Sequence, residues 1–315
     1  MKISIIVPIY NEENNLRRLF NEFYEVLLPL EIDYEIIGVN DGSKDNSLAI
    51  LKELALKDKK VKIICFKVNS GQTASICAGI DNSTGDLIIP IDSDLENDPH
   101  DISRLIEKIN SGYDVVSGWR KDRWSGKLLT RKVPSIVANW LISIITKVKL
   151  HDYGCTLKAY KSEVIKGVTL YGEMHRFIPA YASWRGARVT EIIVNYRKRI
   201  HGKTNYGLSR TFRVLLDLVV IKFLDKYMNR PIHFFGSIGF ISLGTGLLSG
   251  LVAIYLRLFY DLSFILTPLP IFSALFIIVG IQLIAMGIIA EILMRTYYES
   301  QSKKPYTIEE KINFK

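Results

Sequence analysis

The chain has 315 residues, with 41 Lys and Arg against 32 Asp and Glu, a formal charge of +9, and 48% hydrophobic residues. Together with a mean hydropathy of +0.16, this excludes a disordered or collagen-like polymer and leaves enough apolar side chain for a full-sized core. The charge is unevenly spread: residues 232–296 hold only Arg257, Asp261, Glu291 and Arg295, so a soluble domain is expected to precede a membrane segment.

The chain opens on a short apolar run that passes directly into Asn11, Glu12 and Glu13 with no small-residue cleavage site. It reads as a first strand and not as a signal peptide. Over the first 118 residues, Ile3–Val7, Tyr34–Val39, Val61–Phe66, Asp86–Ile91 and Tyr113–Ser117 form nearly continuous apolar runs, the pattern of a parallel sheet covered on both faces. Between them Leu16, Leu19, Phe20, Phe23 and Leu27, and later Ile102, Leu105, Ile106 and Ile109, recur at helical spacing. Those stripes predict helices packed on the sheet.

Open α/β sheets bind ligands beyond the carboxyl ends of their strands. Four polar clusters follow the first four strands: Pro8-Ile-Tyr-Asn-Glu-Glu13, Asn40-Asp-Gly-Ser43, Asn69-Ser-Gly-Gln72 and Asp92-Ser-Asp-Leu-Glu96. No GxGxxG follows the first strand, and no GxxxxGK followed by Ser or Thr occurs anywhere. Dinucleotide dehydrogenases and P-loop NTPases need those glycines for backbone approach to phosphate, so both classes lose support.

From 120 to 230 the pattern changes to short strands and long amphipathic stretches, notably Val133–Val148 with Trp140 and Leu208–Tyr227. Their mixed faces and basic ends suit helices lying on a membrane surface, with a core helix of the soluble domain as the alternative. Residues 232–256 and 262–290 then run without Asp, Glu, Lys or Arg for 25 and 29 positions. At about 1.5 Å per residue each run crosses a hydrocarbon layer of roughly 30 Å. Pro268 and Pro270 mark the start of the second span, and Gly246 and Gly250 form a GxxxG, a spacing too common in membrane helices to carry weight.

Lys222, Lys226 and Arg230 precede the first span, Arg295, Lys303 and Lys304 follow the second, and the connecting loop offers only Arg257. The positive-inside rule places the soluble domain and both termini in the cytoplasm, giving a cell-membrane protein with two spans. The basic surplus suits anionic lipid heads; nucleic acid is not an expected partner, because no recognised binding motif accompanies the charge. Cys65, Cys77 and Cys155 lack metal-ligand spacing and read as reduced structural thiols.

Asp92 and Asp94 lie two apart after an apolar strand, with Glu96 next in the row. If extended geometry persists, all three point to one side, and such packed carboxylates call for a cation. A hard divalent ion, Mg²⁺ or Mn²⁺, fits oxygen ligands and keeps positions open for phosphate oxygens. Asp41 can accept hydrogen bonds from a base edge or ribose; the bland alternative for its cluster is a turn or helix cap supplied by Ser43 or Asp45.

Here the sequence resembles a family. Ile6-Val-Pro-Ile-Tyr-Asn-Glu-Glu13, Asn40-Asp-Gly-Ser43 and Asp92-Ser-Asp-Leu-Glu96 are similar to the marks of family 2 glycosyltransferases with a GT-A fold. Tyr153-Gly-Cys-Thr-Leu-Lys-Ala-Tyr160, Arg199-Ile-His-Gly-Lys-Thr-Asn-Tyr206 and the tail Glu291…Arg295-Thr-Tyr-Tyr-Glu299…Lys304-Pro-Tyr306 resemble the polyprenyl-phosphate branch, that of dolichol-phosphate mannosyltransferase, GtrB and ArnC. The resemblance covers essentially the whole chain. It implies an α/β GT-A domain with a Rossmann-like, mostly parallel sheet over 1–206, a juxtamembrane amphipathic helix at 207–230, a two-helix transmembrane hairpin at 231–296 and a cytoplasmic tail at 297–315.

The implied activity is inverting transfer of one sugar from a UDP- or GDP-linked donor to a polyprenyl phosphate, undecaprenyl or dolichyl, in the bilayer. By carry-over, Pro8, Tyr10, Glu12 and Asp41 hold the nucleoside, Asp92 lies by its phosphates, and Asp94 with Glu96 binds metal; Asp92 joins that metal set, and Gln72 and Ser93 join the donor side. The family commonly has DADLQ here, so Ser93 and Glu96 depart from it, Glu96 adding negative charge. Arg120, Arg131, Ser135 and Arg199 match positions that contact acceptor phosphate, and a guanidinium fork suits that task. Interfacial arginines touching lipid heads are the alternative. The family usually has Ser-Lys where this chain has Thr204-Asn205, and Lys203 is a substitute candidate.

A phosphate nucleophile is already ionised near neutral pH, so a strong base is dispensable. Catalysis then rests on the metal at Asp94 and on basic groups, Arg120 being the catalytic candidate among them, and Asp152 is the candidate for orienting sugar or acceptor, with a cap on the following structure as its alternative. Homo-oligomers, tetramers among them, are an expectation from the resemblance. A processive polysaccharide synthase is a rival reading, weakened by the missing QxxRW; a catalytically silent membrane scaffold of the same fold is another.

Overall fold

The computed structural model describes residues 1–123, 133–166, 174–198, 231–300 and 306–314. They form two units, Met1–Leu218 with Lys304–Lys315, and Val219–Lys303.

The first unit is built on an eight-stranded sheet. Its strands are β1 (Lys2–Ile9), β2 (Asp33–Asn40), β3 (Val61–Phe66), β4 (Leu87–Pro90), β5 (Val115–Trp119), β6 (Lys158–Lys161), β7 (Val189–Ile193) and β8 (Ile308–Ile312), in the order β7-β5-β6-β4-β1-β2-β3-β8. Strands β3, β2, β1 and β4 are parallel, in the register Ile3↔Tyr34, Ile36↔Val61 and Ile3↔Leu87. Every residue from Ile3 to Ile9 and from Tyr34 to Asn40 is buried, because helices cover both faces; continuous apolar runs are the sequence image of that arrangement.

Helices α1 (Glu13–Leu27), α2 (Ser47–Lys57), α3 (Gln72–Asn82) and α4 (Asp101–Asn110) supply the cover. The two predicted stripes are buried, with Leu16, Leu19, Phe20, Ile102 and Leu105 at 0% exposure. At the amino edge of the sheet, Glu35 is the polar knot: its carboxylate accepts from Ser4 Oγ at 2.6 Å, Thr84 N at 2.6 Å and Lys62 Nζ at 2.7 Å. Burial pushes the Glu35 carboxyl up, but the Lys62, Ser4 and Thr84 contacts outweigh it and hold it down at about 2.

Three strands lie outside the five apolar runs: β7, which pairs parallel with β5, and β6 and β8. β6 comes from the Tyr153–Tyr160 stretch and enters antiparallel between β4 and β5. β8 lies beyond the apolar helices, in the stretch read as a tail, and pairs antiparallel with β3 at the sheet edge. Tyr306, just before β8, stacks on Phe66 with ring centroids 5.3 Å apart and donates to Asp81 at 2.7 Å.

Helix α5 (Val133–Thr146) bears out the amphipathic reading: Ile136, Val137, Trp140 and Ile144 are exposed, while Ile142 and Thr146 are buried. Short helices α6 (Ser162–Ile165) and α7 (Ile178–Trp184) complete this unit's described helices. The 207–230 stretch lies outside the described residues.

In the second unit, α8 (Pro231–Tyr260) and α9 (Leu269–Ser300) pack on each other. Their apolar portions, Phe234–Tyr260 and Leu269–Ala290, span 27 and 22 residues, and only 22% and 11% of their most apolar windows are buried. Such length and outward apolarity fit a bilayer and not a soluble core. The GxxxG is part of the contact after all: a Cβ on Gly246 would lie 2.8 Å from Ile277 Cγ1, and one on Gly250 2.8 Å from Ser273 Oγ. Ser273 Oγ donates to Gly246 O at 2.8 Å, so small residues bring the two backbones together.

Candidate active site

The carboxyl ends of β1 to β4 meet at one edge, and their loops are tied by side-chain capture of backbone groups. Asn11 N donates to Ser43 Oγ at 3.1 Å, Lys44 N to Asn11 Oδ1 at 2.8 Å, and Glu12 N to Ser47 Oγ at 2.9 Å. The Glu12 carboxylate is engaged by Asn15 Nδ2 at 2.6 Å, and Tyr10 stands 43% exposed at the rim.

Asp41 is buried and accepts from Ser70 N at 2.6 Å and Gly71 N at 2.8 Å. Its first visible task is therefore to shape the loop after β3. Burial pushes its carboxyl up, and the two backbone donors only partly offset this. Gly42 has φ +64°, and a Cβ there would sit 2.9 Å from Asn69 N, so the turn that places Asp41 admits only glycine readily.

Asp92 leaves β4 between two donors, Gln72 Nε2 at 2.5 Å and Thr156 Oγ1 at 2.6 Å. Burial, then the Asp94 charge, raises its carboxyl to about 6. Ser93 Oγ donates to Pro8 O at 2.9 Å, locking the end of β4 to that of β1. The structure thus brings Pro8, Gln72, Asp92, Ser93 and Asp94 together.

Glu96 does not continue the row. The strand ends at Pro90, Asp94 Oδ1 accepts from Glu96 N at 3.1 Å, and Leu95 takes φ +60°. This Asx-type turn cancels the alternation on which the sequence reading depended. Glu96 instead faces Arg120 at 3.7 Å and Arg123 at 3.8 Å. Among the described residues, three ligand atoms lie within 4.8 Å of one another only at Glu22, Asp98 and His100. That cluster already holds Arg197, which is 2.6 Å from Glu22 and 2.7 Å from Asp98.

Arg120, 4% exposed just after β5, makes a two-pronged pair with Asp152: Nε to Oδ2 at 2.8 Å and a terminal nitrogen to Oδ1 at 3.2 Å. Burial raises the Asp152 carboxyl, but Arg120, then Arg123 and Lys158, overcome that and hold it below the usual carboxylate range. A carboxylate so held is a poor base and a good strut. Lys158 is buried beneath the same loop, donating to Tyr153 O at 3.2 Å and to Cys155 O. Burial lowers its ammonium to about 8.

Sequence reasoning passed over Thr156, Arg123 and Lys158 as site residues. Thr156 and Lys158 stand inside the quoted Tyr153–Tyr160 motif, and Arg123 is three residues from Arg120. Ser135 lies in α5, whereas Arg131, Arg199 and Lys203 lie outside the described residues. Cys65, Cys77 and Cys155 are buried thiols outside any disulfide, as expected.

A mostly parallel α/β sheet with acids, an arginine fork and backbone-captured loops at its carboxyl edge defines a group-transfer site for an anionic substrate. Residues 4–169 match Glycosyl transferase family 2, and the chain belongs to that family. A curated relative, dodecaprenyl-phosphate galacturonate synthase of Rhizobium johnstonii, is 41% identical over 98% of this chain and 92% of its own length. Undecaprenyl-phosphate 4-deoxy-4-formamido-L-arabinose transferase of Pseudomonas fluorescens is 33% identical over 98% and 89%. Among solved structures, glucosyl-3-phosphoglycerate synthase from Mycobacterium tuberculosis, in complex with Mn²⁺, uridine diphosphate and phosphoglyceric acid, superposes with TM-score 0.55. It is 15% identical and covers 70% of this chain and 78% of that one, a likeness of fold.

Proposed function

We propose that this chain moves one sugar from a nucleotide diphosphate donor to a polyprenyl phosphate at the cytoplasmic face of the membrane. The observation that carries the reading is the pair of opposed charge groups at one sheet edge: Asp92 and Asp94 on one side, Arg120 gripped by Asp152 on the other. The first group suits a cation-bound diphosphate and the second a phosphate acceptor. Both named relatives are polyprenyl-phosphate transferases matched over almost their whole length, and the two apolar helices give the chain a place beside a lipid substrate.

In the proposed reaction a phosphate oxygen of the lipid forms the bond to sugar C1. The bond from C1 to the diphosphate breaks, and its electron pair leaves with the nucleoside diphosphate, inverting C1. Mg²⁺ or Mn²⁺ would be held by Asp94 with Asp92 and would neutralise the departing charge. The local charge fits such an ion: Asp92, Asp94, Glu96 and Asp152 outnumber Arg120, Arg123 and Lys158, and the Asp94 and Glu96 charges raise Asp92, whose carboxylate with that of Asp94 supplies the hard oxygen ligands. With Glu96 turned to the arginines, this chain's third acid sets Arg120 and Arg123 instead of adding a ligand. Arg120 presents guanidinium to the acceptor phosphate, Asp152 fixes its plane, and Asp41 with Gly71 shapes the nucleoside pocket.

β8 shares one sheet with β1, β2 and β3, so the segment between β7 and β8 crosses a membrane an even number of times. Two spans are compatible with this, and the basic flanks support a cytoplasmic position for both ends. The test is transfer of labelled sugar from a panel of UDP- and GDP-linked donors to undecaprenyl phosphate, using the full-length protein in detergent. A galacturonate and a formamido-arabinose donor head the panel because the relatives' names carry those sugars. A lipid-linked product with one donor is expected; no product with any donor would sink the reading.

A further inference from the structure

The loop between α5 and β6 is built almost without backbone-to-backbone bonds at its centre, and side chains from three elements hold it. Glu191 of β7 accepts from His151 N at 2.8 Å. Lys158 of β6 donates to Tyr153 O and Cys155 O. Asn139 of α5 does two things: its Nδ2 donates to His151 O at 2.7 Å, and its Oδ1 accepts from Tyr153 N at 3.4 Å.

Those two backbone atoms have a particular relation to Asp152. The carbonyl of residue 151 belongs to the peptide plane before Asp152, and the amide of residue 153 to the plane after it. One planar side-chain amide therefore holds both planes flanking Asp152. With both planes held, the two soft dihedrals of Asp152 are fixed, and so is the direction of its Cα–Cβ bond. The carboxylate at the end of that bond makes the two-pronged contact with Arg120.

We propose that Asn139 is a positioning residue: it clamps the backbone on both sides of Asp152, and through Asp152 it sets the Arg120 fork for the acceptor phosphate. This rests on the role given above to Arg120 and Asp152. It also links the site to α5, whose exposed face carries Ile136, Val137, Trp140 and Ile144. Asn139 is not needed to dock α5. Thr146 Oγ1 contacts Tyr153 Oη at 2.8 Å, and Ser143 Oγ contacts both Leu150 O and Leu150 N at 3.4 Å, so the helix keeps its seat when Asn139 is shortened.

The experiment is a double-mutant cycle on the full-length protein in detergent. It uses undecaprenyl phosphate and whichever donor of the labelled panel the wild type turns over fastest. Asn139→Ala is expected to lower kcat by about ten- to a hundredfold, the scale of a misplacement near 1 Å, with donor KM within about twofold of wild type. In an Asp152→Asn background the same substitution is expected to cost less than about threefold, because residues acting through one another are not additive. Asn139→Asp, which keeps the acceptor for Tyr153 N and loses the donor to His151 O, should fall between wild type and Asn139→Ala. It takes the place of Asn139→Ala in the cycle if the alanine variant's melting temperature shows that it is unfolded.

A kcat within about threefold of wild type for Asn139→Ala, or its full effect retained on top of Asp152→Asn, overturns the positioning role alone. Asp152→Asn at wild-type turnover overturns the reading of the site itself, and the positioning role with it.

Discussion

The two halves of the sheet edge are held by different forces. Around β1 to β4, side chains capture backbone: Asp41 takes Ser70 N and Gly71 N, Ser93 takes Pro8 O, and Asn11 takes Lys44 N. Around β5 to β7, charges also grip charges: Arg120 with Asp152, and Glu96 with Arg120 and Arg123. The first kind of order is local and geometric, and it shapes a pocket for a ligand with a fixed outline. The second depends on which ions are present, and it suits a site whose occupant brings its own charge.

The comparison can be broken most severely at Asp94. Asp94→Ala should reduce turnover by on the order of a thousandfold or more while the protein remains folded, its melting temperature falling only by the loss of the turn bond to Glu96 N. Arg120→Lys tests the charged half: an ammonium cannot meet both Asp152 oxygens, and a loss of roughly a hundredfold in kcat/KM for the acceptor is expected. Asp41→Asn tests the captured half. One backbone donor would face an amide NH₂, and donor KM should rise roughly tenfold with little change in kcat.

A smaller effect belongs to Glu35, far from either group. Its folded carboxyl lies near 2, below the ordinary 4.5, so it contributes stability that is complete above pH 4.5 and is lost as pH falls towards 2. Melting followed from pH 6 to pH 3 should fall less steeply in Glu35→Gln than in the wild type. Equal slopes would remove Glu35 from the account.

The captured half was largely legible in the sequence, because Asn40–Ser43 and Asp92–Glu96 are contiguous motifs that follow strongly apolar strands. The charged half was not. Arg120 was readable as a cation, but its choice of Asp152 over other acids is decided by the antiparallel insertion of β6, a four-residue strand with two lysines. Glu96 leaves the extended row for a local reason: a left-handed Leu95, a conformation rare for such a side chain, turns the chain after Asp94. β8 carries Glu309, Glu310 and Lys311 and is covered on neither face enough to look like a strand.

β8 also governs the order in which this protein can be completed. β3 exposes an unpaired edge until residues 308–312 arrive to cover it, and those residues follow both apolar helices in the chain. If both apolar helices cross a bilayer, a molecule with only one of the two inserted would leave β8 across the bilayer from β3. The β3 edge is then sealed only when both helices are in place, and a β3 edge left open is free to pair with another chain.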